Sequence, residues 1–535
     1  MPLSLPFVAS AVLCMAISPG ALAVSPEWAG KWRADLTFLA DTLPKVHSNL
    51  FHTLPRDSFR AEIERLSGRV AELDHADITV ELARIIARVG DGHTRLTLPF
   101  DTTAGFFTGH TTTAPPLVPG LVFHHLPVRL RFFSDGLFVV RTDRAHRELL
   151  GGRVVGIGTR SLEQAIAAME PTVQRDNQQQ VRNLLPIHLV VPEILRARGV
   201  IEDAGRVRLV VVGADGRKRE AELTAVAPGA ATEWLEARDA GDLPLVDRQP
   251  ERRHWFQRVA GTSVLYARYR EVVDDSDQTV AEFSDRLFEA LGQDGADRLV
   301  LDLRGNVGGN GFLNRPLMRG ILSSPTLRKP GTLFVLADRG TFSAAMMLLT
   351  DLEKLSPAII VGEESGARPN GYGDSRRVRL PGSGLTVRAS TLYWQMSDPR
   401  DTRDGIEPHV AVEPRFAQWQ ARRDPVLDTT LVLARDGPDP SGTWNGVVSQ
   451  GYQRIPMSVT LTRTERVWTA RITASSLGAR DLAADSVDVS GRQVVFTLSG
   501  PGSVWEFRGH LASGAIVGIV RYQGSDLAFV LNRAP

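Results

Sequence analysis

The stretch Leu333-Phe334-Val335-Leu336-Ala337-Asp338-Arg339-Gly340-Thr341-Phe342-Ser343-Ala344-Ala345-Met346-Met347 decides the fold class. Its apolar start reads as a buried strand, Asp338 to Phe342 as a turn, and Ser343 as the opening of an apolar helix that runs to Leu355. Upstream, the strand Ser263 to Tyr269, a helical pattern from Phe283 to Leu291 and the strand Arg298 to Leu303 repeat the alternation, and Ala358 to Val361 continues it downstream. Strands joined by crossover helices predict an α/β core with largely parallel pairing over residues 255–415. In such a core Ser343 lies at the positive end of a helix dipole, with the next N–H free to donate. Taken alone it also reads as an ordinary N-cap, a place serine often fills.

Two further stretches supply what a serine nucleophile needs. In Val300-Leu301-Asp302-Leu303-Arg304-Gly305-Asn306-Val307-Gly308-Gly309-Asn310, an apolar strand runs into a glycine pair whose bare backbone can approach a ligand, as an oxyanion hole requires. Asp302, Arg304 and Asn306 read as structural supports of that turn. In Val89-Gly90-Asp91-Gly92-His93-Thr94-Arg95-Leu96, a histidine follows a helix and can reach into a cleft as a base. Each stretch alone has a plainer reading, a glycine turn and a surface histidine.

Together and in order, Asp91-Gly92-His93-Thr94, Asp302-Leu303-Arg304-x-Asn306-x-Gly308-Gly309, Thr341-Phe342-Ser343-Ala344-Ala345, Val361-Gly362-Glu363-x-Ser365-Gly366 and Gly405-Ile406-x-Pro408 resemble the S41 peptidases, the tail-specific or C-terminal processing proteases. The resemblance spans most of Trp28 to Pro414. It implies a crotonase/ClpP-like spiral core preceded by a PDZ-like module, Ser343 as nucleophile, and an oxyanion hole made by the N–H groups of Gly308 and Ala344.

The sequence departs from the branch of that family whose base is a lysine after the serine helix. The equivalent place reads Gly366-Ala367-Arg368, and a guanidinium stays protonated. The only lysines are Lys31, Lys45, Lys218, Lys329 and Lys354. Lys354 lies along the serine's own helix, about 16 Å away at 1.5 Å per residue. The resemblance to the tricorn-like branch instead implies His93 as base, with an acid from a late segment. Asp398, Asp401 and Asp404 are available there, Asp401 being the first choice, with Glu363 or no third member as alternatives; Asp91 is the weaker alternative base. Arg368 and Tyr372 are candidates for lining the cleft or binding a substrate carboxylate.

Around the core, residues 24–100 carry a helical pattern and predict a small N-terminal domain, and 120–228 show short strands matching the PDZ-like expectation, interrupted by an insertion around Pro171 to Val191. Thr102 to Pro119 reads as a linker. After Gly437-Pro438-Asp439-Pro440-Ser441-Gly442, residues 438–535 predict an all-β barrel or sandwich. The expected fold class is thus multidomain α/β, which also suits a length of 535 residues, since single cores stop growing near roughly 250–300.

Met1 to Ala23 is an apolar run ending in a small-x-small pattern, read as a signal peptide (1–23) and implying a periplasmic or secreted protein. The single cysteine, Cys14, falls inside it, so disulfides, a thiol nucleophile and thiolate metal sites are excluded downstream. A net charge of +1 offers no footprint for nucleic acid or anionic membrane, and no later segment is apolar enough to span a bilayer. No metal spacing or phosphate loop is present, so no cofactor is implied. The leading expectation is hydrolysis of a polypeptide substrate. The alternatives are an esterase, or a non-catalytic ligand-binding protein on the same scaffold, and the reach between Ser343 and His93 discriminates the latter.

Overall fold

The computed structural model describes residues 23–99, 116–230, 232–291, 293–329, 331–434, 440–464, 467–490, 493–500, 503–512 and 515–534. The Met1 to Ala23 leader, all but its last residue, most of the Thr102 to Pro119 linker and the first half of the Gly437 to Gly442 junction lie outside them.

Six strands form the central sheet, in the order Val410–Ala411, Ile359–Gly362, Leu333–Ala337, Arg298–Asp302, Val264–Tyr269, His254–Arg258. All neighbours are parallel except the last pair. Side chains alternate between its faces as strand geometry dictates. Leu265, Ala267, Leu301 and Val335 pack into one apolar cluster with the helices Val280–Ala290, Arg315–Ser323 and Ala344–Leu355. Tyr266, Val300, Phe334 and Val361 pack on the opposite face, against Val426 and Leu427 of the helix Pro425–Leu433 and Val517 and Val530 of the C-terminal sheet. A sheet covered on both faces explains its nearly unbroken apolar strands.

The C-terminal region is one nine-stranded sheet, antiparallel throughout, in which the first strand, Gly442–Gln450, pairs with the last, Ser525–Arg533. A separate antiparallel sheet spans Val128–Phe133 to Lys218–Thr224. The helical segment 24–100 and the strands of 120–228 do not have separate cores: Trp32, Leu36 and Ile85 share one cluster with Val139, Leu209 and Leu223. The long hairpin Asn370–Arg379 and Thr386–Gln395 joins that cluster through Val387 and Ala389 and pairs with Arg95–Thr97. By that pairing the segment beside His93 is held against the core. Among the described residues no helix is long and apolar enough to cross a membrane.

Candidate active site

Ser343 ends the turn that follows the buried strand Leu333–Ala337. Asp338 fixes that turn: its Oδ1 accepts from Gly340 N–H at 2.9 Å and, across the gap, from Gly305 N–H at 2.7 Å. Phe342 N–H donates to the Asn306 carbonyl at 2.9 Å, so the serine turn and the glycine turn are sewn together. Ser343 has φ 53° and ψ −125° and makes no side-chain cap. L-residues rarely adopt that conformation, and it persists only where the surroundings enforce it. The hydroxyl, freed from capping, lies 2.9 Å from His93 Nε2.

His93 is held as firmly. Asp91 is buried, and its Oδ1 accepts from the N–H groups of His93 and Thr94, both at 2.8 Å, and from Ser390 Oγ at 2.9 Å, while Oδ2 lies 2.8 Å from His47 Nε2. Burial pushes the Asp91 carboxyl upward, but the His47 and Thr94 hydrogen bonds outweigh it and hold the group at about 2. Asp91 is therefore a brace for the loop. Gly92 N–H donates to Asp176 Oδ1 at 2.7 Å. A Cβ on Gly92 would fall 2.5 Å from Gln180 Oε1 and 2.8 Å from the Phe342 ring, so only glycine fits. The His93 ring stacks on Phe342, with centroids 4.5 Å apart. Burial lowers its pKa to about 4 against the opposing pull of Asp91, leaving a neutral imidazole able to accept the serine proton from Nε2 when Nδ1 carries the other proton. Nδ1 is buried and has no partner in hydrogen-bond geometry; the Tyr372 carbonyl acts on the ring from beyond it.

That finding corrects the expectation for Asp401. Its carboxylate bonds Arg403 at 3.0 and 2.9 Å, and Arg403 also grips Glu353. Asp398 pairs with Arg400, Asp404 with Arg368, and Glu363 with Arg339. None of the four acids reaches His93.

The oxyanion donors need a second correction. Gly308 N–H is already donated to Asn306 Oδ1 at 2.9 Å, and Asn306 Nδ2 is anchored on the Tyr269 carbonyl. Gly308 is needed for close approach instead: at φ +100° its Cβ would lie 2.6 Å from Ser343 Cβ and 2.7 Å from Ala344 N. Gly309 is the glycine on the cleft wall, and neither its N–H nor that of Ala344 is spent on another group. Asp302 and Arg304 form a buried network with Asp424 and Tyr266 and do not line the cleft that holds the hydroxyl.

Arg368 and Tyr372 both line the cleft. Arg368 Nε donates to the Asp176 carbonyl at 2.9 Å, and Tyr372 OH accepts from Asn49 Nδ2 at 3.1 Å with its ring against His52. The cleft measures about 560 Å³, and its apolar wall includes Met318, Met346, Met347, Met396, Phe312 and Trp394. Asp176 and Gln180, on and before the helix Gln178–His188, come from the segment that read only as an insertion. Their sole sequence signal was polar side chains in an otherwise buried helical pattern. Among the described residues no group of three His, Cys, Asp or Glu side chains could hold a metal ion.

No family model matches the chain, and no curated protein matches it in sequence. Among solved structures it is similar to mature CPAF, at 13% identity over 76% of this chain and 97% of that one, with a TM-score of 0.52. Mature CPAF complexed with lactacystin matches at 13% identity over 76% and 99%, with a TM-score of 0.53. The photosystem II D1 C-terminal processing protease matches at 15% identity over 76% and 98%, with a TM-score of 0.36. The likeness to CPAF is one of fold, a mixed α/β multidomain arrangement that takes in nearly the whole of that protein.

Proposed function

We propose that this chain is a serine peptidase of the S41 type, exported after removal of its leader, which hydrolyses polypeptides through an acyl-enzyme on Ser343. The observation that carries the reading is the 2.9 Å approach of Ser343 Oγ to His93 Nε2 across 250 residues of sequence. His93 accepts the hydroxyl proton as Ser343 attacks the carbonyl and returns it to the leaving amine. The N–H groups of Ala344 and Gly309 receive the oxyanion. A carboxylate on Nδ1 has no part in this scheme; the braces are Asp91, Asp176 and the Phe342 ring. The PDZ-like character of 120–228 belongs to the same proposal and rests on strand order alone. The competing binding-protein reading needs a serine and histidine that point apart, and the geometry favours catalysis.

The test is labelling of the purified chain with a fluorophosphonate. Wild type is expected to label, Ser343→Ala not at all, and His93→Ala at least about a hundredfold more slowly. Well-folded wild type that does not label would sink the catalytic reading. Loss in Ser343→Ala but full labelling in His93→Ala would leave the serine and remove the base.

A further inference from the structure

A second cavity, of about 210 Å³, lies on the other side of the serine turn, where Arg131 and Phe133 of the strand Val128–Phe133 meet the central core and the segment Pro414 to Val426. Seven arginines and four carboxylates line it, and the four are Asp247, Asp338, Glu363 and Asp424. Pairing absorbs only part of the positive charge. Arg304 is satisfied by Asp302 and Asp424, and Arg339 leans on Glu363. Arg238 pairs with Asp247 at 2.8 Å, Arg268 Nη1 with Asp302 at 3.5 Å and Arg423 with Asp428 at 3.4 Å, which leaves two without an acidic partner: Arg270, with only the Arg248 carbonyl, and Arg131, with no hydrogen bond or ion pair among the described residues and only a cation–π contact with Phe133 at 5.3 Å.

The donors themselves are under-used. Arg268 is 3% exposed, and its Nε is buried with no acceptor. The same holds for Nε of Arg238 and of Arg270 and for Nη1 of Arg339. Buried N–H groups are satisfied almost without exception, and water can satisfy them without neutralising charge. A guanidinium cluster in which Arg131 and Arg270 lack an acidic partner and four further N–H positions are unused matches an oxyanion that accepts several hydrogen bonds at once.

We infer that this cavity binds a small multivalent oxyanion of the phosphate class, at a site separate from the serine cleft, with Arg131, Arg268 and Arg270 as its principal donors.

Inorganic phosphate is the probe, titrated calorimetrically into the purified chain at constant ionic strength against chloride. One saturable site is expected. Arg131→Glu removes an exposed side chain that bonds nothing else, so it should fold, which a thermal melt checks, and weaken phosphate by about tenfold to a hundredfold. Arg270→Met should weaken it by about tenfold. Arg60→Glu, which makes the same charge change as Arg131→Glu on the exposed face of the helix Arg56–Arg69, should leave affinity unchanged. Absence of saturable heat in wild type, or equal weakening by Arg60→Glu and Arg131→Glu, overturns the assignment.

Discussion

Three serines open helices among the described residues, and Ser161 and Ser343 do opposite things. Ser161 precedes Leu162–Met169 with φ −63° and ψ 160°, accepts from Gln164 N–H on its hydroxyl, and donates its own N–H to Gln164 Oε1. Ser343 precedes Ala344–Leu355 with φ 53° and ψ −125°, and its hydroxyl caps nothing. The third helical position separates them. Ser161 is followed there by Gln164, which completes a capping box, whereas Ser343 is followed by Met346. A serine with its local partners supplied spends its hydroxyl on the backbone. One denied them, and held in a strained turn for which Gly308 leaves room, keeps the hydroxyl for a distant histidine.

The largest way to break this contrast is to remove each hydroxyl. Ser343→Ala should cut peptide hydrolysis by about 10⁴-fold or more, while Ser161→Ala should leave it unchanged, both read as kcat/KM. Acid dependence sharpens the account of the base. With His93 held at about 4, kcat/KM should persist through pH 5 and fall only near pH 4, whereas an unperturbed histidine would lose half its activity near 6.5. The same depression makes stability fall as pH drops from about 6.5 through 4, because the unfolded chain takes up the proton first. Asp401→Asn should change kcat/KM by less than about threefold, since a triad acid would cost about 10⁴-fold and Asp401 is engaged by Arg403. The smallest effects are thermodynamic and of opposite sign. Ser161→Ala should cost about 1 kcal/mol through the lost cap, and Ser343→Gly should gain about 1 kcal/mol by relieving the positive φ, both measured by chemical denaturation.

The strands of the core were legible because a sheet buried on both faces leaves long apolar runs such as Leu333 to Ala337. The serine and histidine were legible because Phe342-Ser343-Ala344 and Gly92-His93-Thr94 are short motifs whose chemistry is local. The acid is not legible: place in the chain favours Asp401, and only the fold reveals that Arg403, two residues on, turns its guanidinium onto Asp401 and Glu353 together. Which glycine of the pair keeps a free N–H is illegible for a similar reason, since the folding back of the Asn306 amide onto Gly308 decides it. The braces Asp176 and Gln180 lay in a segment with no motif, and their role exists only because Gly92 packs on them. The shared core of 24–100 and 120–228 was hidden because apolar periodicity tells which side of an element is buried, not against what.

The distance along the chain between Ser343 and His93 has a consequence for the order of events in the protein's life. Bringing together groups 250 residues apart carries a loop-closure cost that only completed tertiary structure can offset. The histidine arrives on a helical layer and the serine on a parallel sheet, and neither meets the other until both are packed and the Asn370 to Gln395 hairpin has clasped them. A nascent or partly unfolded chain therefore holds Ser343 without His93 beside it. On the proposed function, completion of the fold is then the safety catch that keeps Ser343 inert until the molecule is whole.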